Sequence, residues 1–287
     1  MRILTTVQEM RSVWREAKDK KQSVGLVPTM GALHKGHASL IEAARAENDL
    51  VVMSLFVNPT QFAPTEDLAA YPRDLQGDAK VAEAAGADII FAPAVSDMYP
   101  EGDSTWVEVS GHLTSILCGR SRPGHFRGVS TVVTKLFNIV RPDRAYFGQK
   151  DGQQAQIIRR MTVDLFMPID IRIMPLIRED DGLALSSRNS YLSAEERRAA
   201  LVLSHGLKEA EELIRGGERN KEVVLAKLKS AIEAEPLADL NYAEIYTFPE
   251  LGEFDGELKG SVFIALAVKF GGARLIDNVV VEAPAAA

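Results

Sequence analysis

The stretch Val24-Gly-Leu-Val-Pro-Thr-Met-Gly-Ala-Leu-His34-Lys-Gly-His37-Ala-Ser-Leu decides what kind of fold this chain adopts. It opens on a short β-branched and apolar run at 24–27, turns through Gly31 and Gly36, and passes into apolar residues at helical spacing over 39–48. Strand, glycine turn and helix in that order make one parallel β/α unit. Outward from it the alternation repeats. Runs at 50–57, 88–91, 144–147 and 169–174 read as strands, and 75–85, 129–140 and 153–166 carry helical spacing between them. The pattern predicts an α/β fold, a doubly wound (Rossmann-like) parallel sheet whose ligands sit at the carboxyl ends of its strands.

Past residue 178 the rhythm changes to helices at 194–214 and 221–234, then strands at 242–248, 261–270 and 274–281. Helices followed by adjacent strands predict a smaller α+β domain. Ser193 with Glu196 three residues on predicts a capping box at its first helix. We therefore expect a domain at 1–176 and a second at 177–287.

Composition sets the outer limits. A chain of 287 residues, 46% hydrophobic and 25% charged, has the make-up of a globular protein with a sizeable core. Its 33 Lys and Arg against 40 Asp and Glu give a formal charge of -7, which repels phosphate backbones and argues against nucleic acid as a main partner. Cys118 is the only cysteine, so an intramolecular disulfide and any cysteine-built metal cage are excluded. That usage fits the cytoplasm. No export segment is visible, and the longest apolar run, 50–57, falls far short of the roughly 20 residues that span a bilayer, so no membrane association is expected.

Within the opening stretch, a helix starting near His37 aims free N–H groups and a positive dipole end at whatever docks there, and two imidazoles three residues apart add donors without fixed charge. An isolated pair of this kind reads first as a helix cap and a surface imidazole; the glycine frame and the strand-to-helix placement favour a phosphate site. A metal site needs at least a third protein ligand, which H-x-x-H does not supply. Phe147-Gly-Gln-Lys150-Asp-Gly-Gln-Gln154 is again a strand end running into a helix. There Asp151 and Gln154 read as a cap pair, whereas a lysine at a helix N-terminus opposes the dipole unless an anion lies between them. Gly182-Leu-Ala-Leu-Ser186-Ser187-Arg188-Asn189 reads as a polar linker or as a phosphate-closing segment, and Arg120, Arg122 and Arg127 as a solvated basic loop or an anion clamp.

Together these motifs resemble the pantothenate synthetase (pantoate-beta-alanine ligase) family, within the HxGH nucleotidylyltransferase superfamily. Pro28-Thr-Met-Gly with His34-Lys-Gly-His37, Phe56-Val-Asn-Pro-Thr-Gln61-Phe, Tyr71-Pro-Arg, Arg122-Pro-Gly-His-Phe-Arg-Gly-Val, Phe147-Gly-Gln-Lys-Asp, Leu185-Ser-Ser-Arg-Asn and Arg274-Leu-Ile-Asp-Asn appear in family order. H-x-G-H alone specifies only the superfamily; Asn58 to Gln61 and Arg122 to Val129 look like this ligase. The resemblance implies ATP-dependent condensation of (R)-pantoate with beta-alanine to pantothenate, AMP and pyrophosphate through an enzyme-bound pantoyl adenylate, with ATP as a substrate accompanied by Mg2+, in a cytoplasmic homodimer. It implies that the first domain binds nucleotide and pantoate and that the second acts as a lid.

Position by position, the resemblance implies that Met30, Gly31, His34, Gly36, His37, Gly148, Gln149, Lys150 and Asp151 line the ATP site, with Ile177 beside the adenine and Leu185, Ser186, Ser187 and Arg188 closing on the phosphates. Gln61 and Gln154 would hold pantoate, with Asn58 and Arg122 beside them. His37 takes the family's proton-donor role, His34 faces the phosphates, and Lys150 and Arg188 supply catalytic charge. No metal ligand is firmly implied; Asp78 is a candidate. Gly152 departs from the aromatic residue usual in the family. Three rivals stand beside this reading: a nucleotidyl transfer that keeps the nucleotide attached, which free AMP would exclude; a tRNA synthetase, opposed by net charge; and a nucleotide sensor, which would bind ATP without making AMP.

Overall fold

The computed structural model describes residues 1–64 and 66–284. The chain begins with β1 (Arg2–Leu4), α1 (Val7–Asp19), β2 (Val24–Thr29), α2 (Lys35–Glu47), β3 (Leu50–Leu55), α3 (Leu75–Ala84) and β4 (Ile89–Phe91). Three short helices follow, α4 (Val95–Met98), α5 (His112–Ser115) and α6 (Leu117–Ser121), then α7 (His125–Val140), β5 (Arg144–Gly148), α8 (Gly152–Asp164) and β6 (Asp170–Met174). The six strands form one parallel sheet in the order β1-β4-β3-β2-β5-β6. Its strands read as near-continuous apolar runs because both faces are covered. Leu26, Val52, Ala145 and Phe147 join the core built with α1, α7 and α8, while their neighbours Val27, Val51, Met53 and Tyr146 pack with α2 and α3.

The β1–α1 unit lies outside what the sequence pattern predicts. β1 has three residues with only Leu4 buried, too few for a periodicity to show. α1 does carry a signal: Thr6 and Glu9 stand ahead of the buried stripe Met10, Val13 and Ala17, and both hydrogen bonds of the capping box are made.

The second sheet, β7 (Asp239–Thr247), β8 (Gly260–Phe270) and β9 (Ala273–Ala283), is antiparallel in sequence order. One face packs on α10 (Val202–Arg215) and α11 (Lys221–Glu233), through Leu203, Leu207, Leu228 and Ile232 against Ile245, Ile264 and Leu266. From the other face Tyr242, Tyr246 and Phe263 enter the core shared with α7 and α8. The single helix expected at 194–214 is two, α9 (Ala194–Ala199) and α10, because Leu201 and Leu203 donate to Arg198 and Ala200, three residues back, and tighten the chain between them. The Ser193–Glu196 box opens α9 as expected.

Candidate active site

The strand order reverses between β2 and β5, and a doubly wound sheet holds its ligand in the crevice at that point. β2 runs into Met30 and then Gly31, whose φ of +91° suits a residue without Cβ. Asp78 of α3 anchors this turn from behind, its two carboxylate oxygens accepting the N–H groups of Ala32 at 3.0 Å and Leu33 at 2.7 Å. Burial still raises its pKa against those two bonds. Both oxygens of this Mg2+ candidate are engaged by backbone N–H groups of the loop.

His34 caps α2, its Nδ1 accepting the Gly36 N–H at 3.1 Å, and His37 Nδ1 accepts the His34 N–H at 3.4 Å. A Cβ at position 36 would lie 2.9 Å from His34 Cε1, so glycine lets the ring stand over the helix start. The two rings are 4.2 Å apart. Burial, then the Lys150 charge, lowers the His34 pKa to about 4; burial, then the neighbouring His34 and Lys150, lowers that of His37 to about 3. Both are neutral at pH 7, and with each Nδ1 accepting, the single ring proton sits on Nε2. Cap and phosphate donor, alternatives on paper, are compatible here: one nitrogen of His34 caps and the other keeps its proton.

At the end of β5, Gly148, Lys150, Asp151 and Gln154 line the same cleft. Asn278 of β9 holds the turn: its Nδ2 donates to Gln149 O and Lys150 O, both at 2.9 Å, and its Oδ1 accepts Gln149 Nε2 at 3.0 Å. Gln149 therefore turns its side chain to β9. Next to Asn278, the buried Asp277 pairs with Arg178 through two bonds of 2.6 and 2.9 Å, which makes the Arg274-to-Asn278 run a clamp on the site's edges. Asp151 makes no side-chain cap to α8, contrary to the cap-pair reading. A Cβ at Gly152 would lie 3.0 Å from Phe263 Cε2; that ring occupies the space beside the turn.

After β3 the chain makes a tight turn at Pro59–Gln61 against α7. A Cβ at Gly128 would overlap Thr60 O and stand 2.8 Å from Gln61 Cα, so only glycine permits this backbone-to-backbone approach. Asn58, 1% exposed, donates from Nδ2 to Gln61 Oε1 at 3.0 Å and Gly128 O at 3.2 Å and accepts at Oδ1 from Tyr99 and Thr60. Its amide is engaged inside the protein and supports Gln61. Arg122 is similarly engaged: Nε and Nη2 meet Glu66 at 2.5 and 2.7 Å, Nη1 meets His125 Nε2 at 3.0 Å, and Nη2 reaches Gln61 O. A guanidinium only donates, so His125 accepts at Nε2 and donates from Nδ1 to Gln61 O at 2.8 Å. Burial chiefly, and the Arg122 charge, lower the His125 pKa to about 4.

The third segment comes from beyond β6. Ser186 accepts the Arg188 N–H, and Arg188 forks onto Asp67 at 3.1 and 2.9 Å. Arg122 and Arg188 are thus held by neighbouring carboxylates, Glu66 and Asp67, of one loop.

Met30, His34, Gly36, His37, Asn58, Gln61, Arg122, Gly148, Lys150, Asp151, Gln154, Ile177, Leu185, Ser186, Ser187 and Arg188 all line this one cleft, while Gly31, Gln149 and Asp78 stand behind its wall. The sequence reading quoted Phe62, Tyr71 and Val129 in motifs without giving them a site role and did not name the rest of the α7 stripe, Val132, Val133 and Leu136; together they give the cleft an apolar side. Their i, i+3, i+4, i+7 spacing signals a buried helix face but not what it faces. Among the described residues no group of three or more His, Cys, Asp or Glu is placed to hold a metal, and no helix is long and apolar enough to cross a membrane.

The chain matches known proteins along nearly its whole length. The family model described as Pantoate-beta-alanine ligase matches residues 2–280. A pantothenate synthetase of Acetivibrio thermocellus is 54% identical over 98% of this chain and 100% of its own length, and one of Moorella thermoacetica is 55% identical over 98% and 99%. The crystal structure of pantothenate synthetase from Thermus thermophilus superposes with a TM-score of 0.92 at 46% identity, covering 97% of this chain and 99% of that one. A Francisella tularensis pantoate-beta-alanine ligase complexed with beta-gamma ATP and beta-alanine superposes at 0.81 and 37% identity, covering 98% and 97%.

Proposed function

Since the chain belongs to the pantoate-beta-alanine ligase family, we propose that the cleft between β2 and β5 is where it condenses pantoate with beta-alanine, with ATP as the activating substrate. A carboxylate is a poor electrophile, and an alkylamine of pKa near 10.4 is free to only about one part in a thousand at pH 7. Activation precedes condensation for that reason. A pantoate carboxylate oxygen attacks the α-phosphorus of ATP, the bond to pyrophosphate breaks, and pantoyl adenylate forms. The beta-alanine ammonium gives one proton to solvent, the free amine nitrogen attacks the acyl carbon, AMP leaves with the C–O electron pair, and the nitrogen's second proton passes to solvent as the amide forms.

In the first step charge grows on the α-phosphate and the departing pyrophosphate. The Nε2–H groups of His34 and His37, the α2 N-terminus and Lys150 meet it from the sheet, while Ser186, Ser187 and Arg188 meet it from across the cleft. His37 contributes as a neutral N–H donor in the free enzyme; bound phosphate is what raises its proton affinity towards the acid role. Arg188 exchanges Asp67 for phosphate oxygens. The amides of Gln61 and Gln154 face the acid, and the α7 stripe suits its branched carbon skeleton. Mg2+ would accompany the triphosphate as part of the nucleotide substrate and supply countercharge to it.

One observation carries this reading: the sheet's switch point gathers the helix-capping histidines, Lys150 and the Gln61 amide into one cleft. Incubation with ATP, Mg2+, pantoate and beta-alanine, omitting one component at a time, tests it. Pyrophosphate without beta-alanine, and AMP only with it, are expected; ATP binding with neither product would show a sensor. The same reading divides the chain at 176/177, with every parallel strand before that point and every antiparallel one after it. It also carries a cytoplasmic homodimer, which sedimentation and cell fractionation test.

A further inference from the structure

Gln61 faces the acid with an amide whose two ends look alike in outline but are opposite in chemistry, so something must decide which end points into the cleft. The decision is traceable to backbone. Gly128 O, which can only accept, lies 3.2 Å from Asn58 Nδ2, and the Thr60 N–H, which can only donate, faces Asn58 Oδ1 at 3.4 Å. Those two groups set the sense of the Asn58 amide, but at 3.2 and 3.4 Å both bonds are long, and the shorter hydroxyl contacts hold it in place. The Tyr99 hydroxyl donates to Oδ1 at 2.8 Å, the shorter of its two contacts, and lies 3.2 Å from Thr60 Oγ1, which is the second side-chain partner of Oδ1 at 2.9 Å. The remaining Asn58 hydrogen goes to Gln61 Oε1 at 3.0 Å, and Gln61 Nε2 is left beside Met30 Sδ at 3.4 Å on the cleft wall, with a hydrogen to offer.

We infer that Tyr99 is a positioning residue for the acid substrate, acting through Asn58 to keep the Gln61 amide presenting N–H, so that position 61 reads an acceptor oxygen and rejects a donor. This rests on the proposed function and adds to it a residue that reaches the site only through others. Tyr99 is itself braced from outside. Lys135 Nζ lies 4.4 Å from the centre of its ring and donates to Met98 O at 2.7 Å and to Asp103, while Phe56 packs beside it at 6.3 Å. The line of contacts therefore runs from a surface ion pair to the cleft.

Tyr99→Phe removes one hydroxyl and leaves the ring, Lys135 and Phe56 in place, so the test needs no cavity. The wild-type enzyme is assayed first for pantoate-dependent pyrophosphate release; its absence would defeat the proposed function and not this inference. In Tyr99→Phe the KM for pantoate is expected to rise about three- to tenfold, the effect of one lost neutral hydrogen bond, with the KM for ATP and the melting temperature close to wild type. Gln61→Glu, which replaces the presented N–H by an oxygen, should raise the pantoate KM further, and adding Tyr99→Phe to it should then change little, because there is no amide left to orient. An unchanged pantoate KM in Tyr99→Phe overturns the inference. So does an equal rise for pantoate and ATP, or a full additive effect in the double variant.

Discussion

The two halves of the cleft are built on opposite plans. The half proposed for the nucleotide is built on turns that directly follow β2 and β5, faced by Ser186, Ser187 and Arg188, and ends in groups with hydrogen to give, chief among them the Nε2–H of His34 and His37 and the Lys150 ammonium. The half proposed for the acid is a lattice in which Arg122, His125 and Glu66 satisfy one another and Asn58 is satisfied by Gly128, Thr60, Tyr99 and Gln61, leaving the far end of Gln61 and the Gln154 amide to face the cleft. A triphosphate changes charge and shape during the reaction and is best met by several independent donors. A small acid must be held in one pose, which favours a prebuilt frame. Damage should therefore fall on chemistry in the first half and on pose in the second.

The largest effect is expected where charge grows. Lys150→Ala and His37→Ala each remove a donor from the nucleotide half and should slow adenylate formation about a hundred- to thousandfold, the magnitude of a lost oxyanion-type donor, with normal melting temperatures. Pyrophosphate release in a single turnover measures it, and near-normal rates in both variants would erase the distinction between the halves.

The acid half should instead fail through geometry. Gly128→Ala forces a methyl group into Thr60 O and towards Gln61 Cα, and since both obstacles are backbone the turn must shift. A stability loss of about 1–3 kcal/mol by thermal melting is expected, with a raised KM for pantoate and little change for ATP. A rise confined to ATP would reverse the assignment of this turn.

The same contrast governs what could be read in advance. The β/α alternation and the turn motifs were legible because each is local: a run, two glycines, two histidines within a few residues. So was their meeting, since a doubly wound sheet places both turns at its switch point. The lattice was legible only in part. Asn58, Gln61 and Arg122 were marked by resemblance, but their bonds span up to 70 residues and nothing in Asn58's neighbours tells that its amide is saturated by Tyr99 and Gly128. Asp78 shows the same limit: an acidic residue in an amphipathic helix does not announce that it faces two backbone N–H groups.

Asp78 sharpens the comparison because it supports the nucleotide half without touching the cleft. In Asp78→Asn one of the two oxygens becomes an NH2 group facing Ala32 N–H or Leu33 N–H, a donor set against a donor. The loop before His34 should loosen, giving roughly a tenfold fall in kcat/KM for ATP that rising Mg2+ does not repair. Recovery at high Mg2+ would return this carboxylate to the metal.

The smallest effect at working pH belongs to His125, and it appears only on acidification. Its folded pKa of about 4 lies below the ordinary 6.5, so as pH falls through 6.5 the unfolded chain takes up a proton that the folded chain refuses until about 4. The stability associated with neutral His125 is complete above pH 6.5 and declines between there and 4, by up to about 3 kcal/mol. His34 and His37 add to the decline in the same window, their folded pKa values being about 4 and about 3. Glutamine at 125 can still donate to Gln61 O and accept from Arg122 but takes up no proton. His125→Gln should therefore melt near wild type at pH 7.5 and lose less of its melting temperature on going to pH 4.5, because acid then reaches the nucleotide half alone. Two melting curves that fall in parallel would mean that the acid half's lattice does not depend on keeping this imidazole neutral.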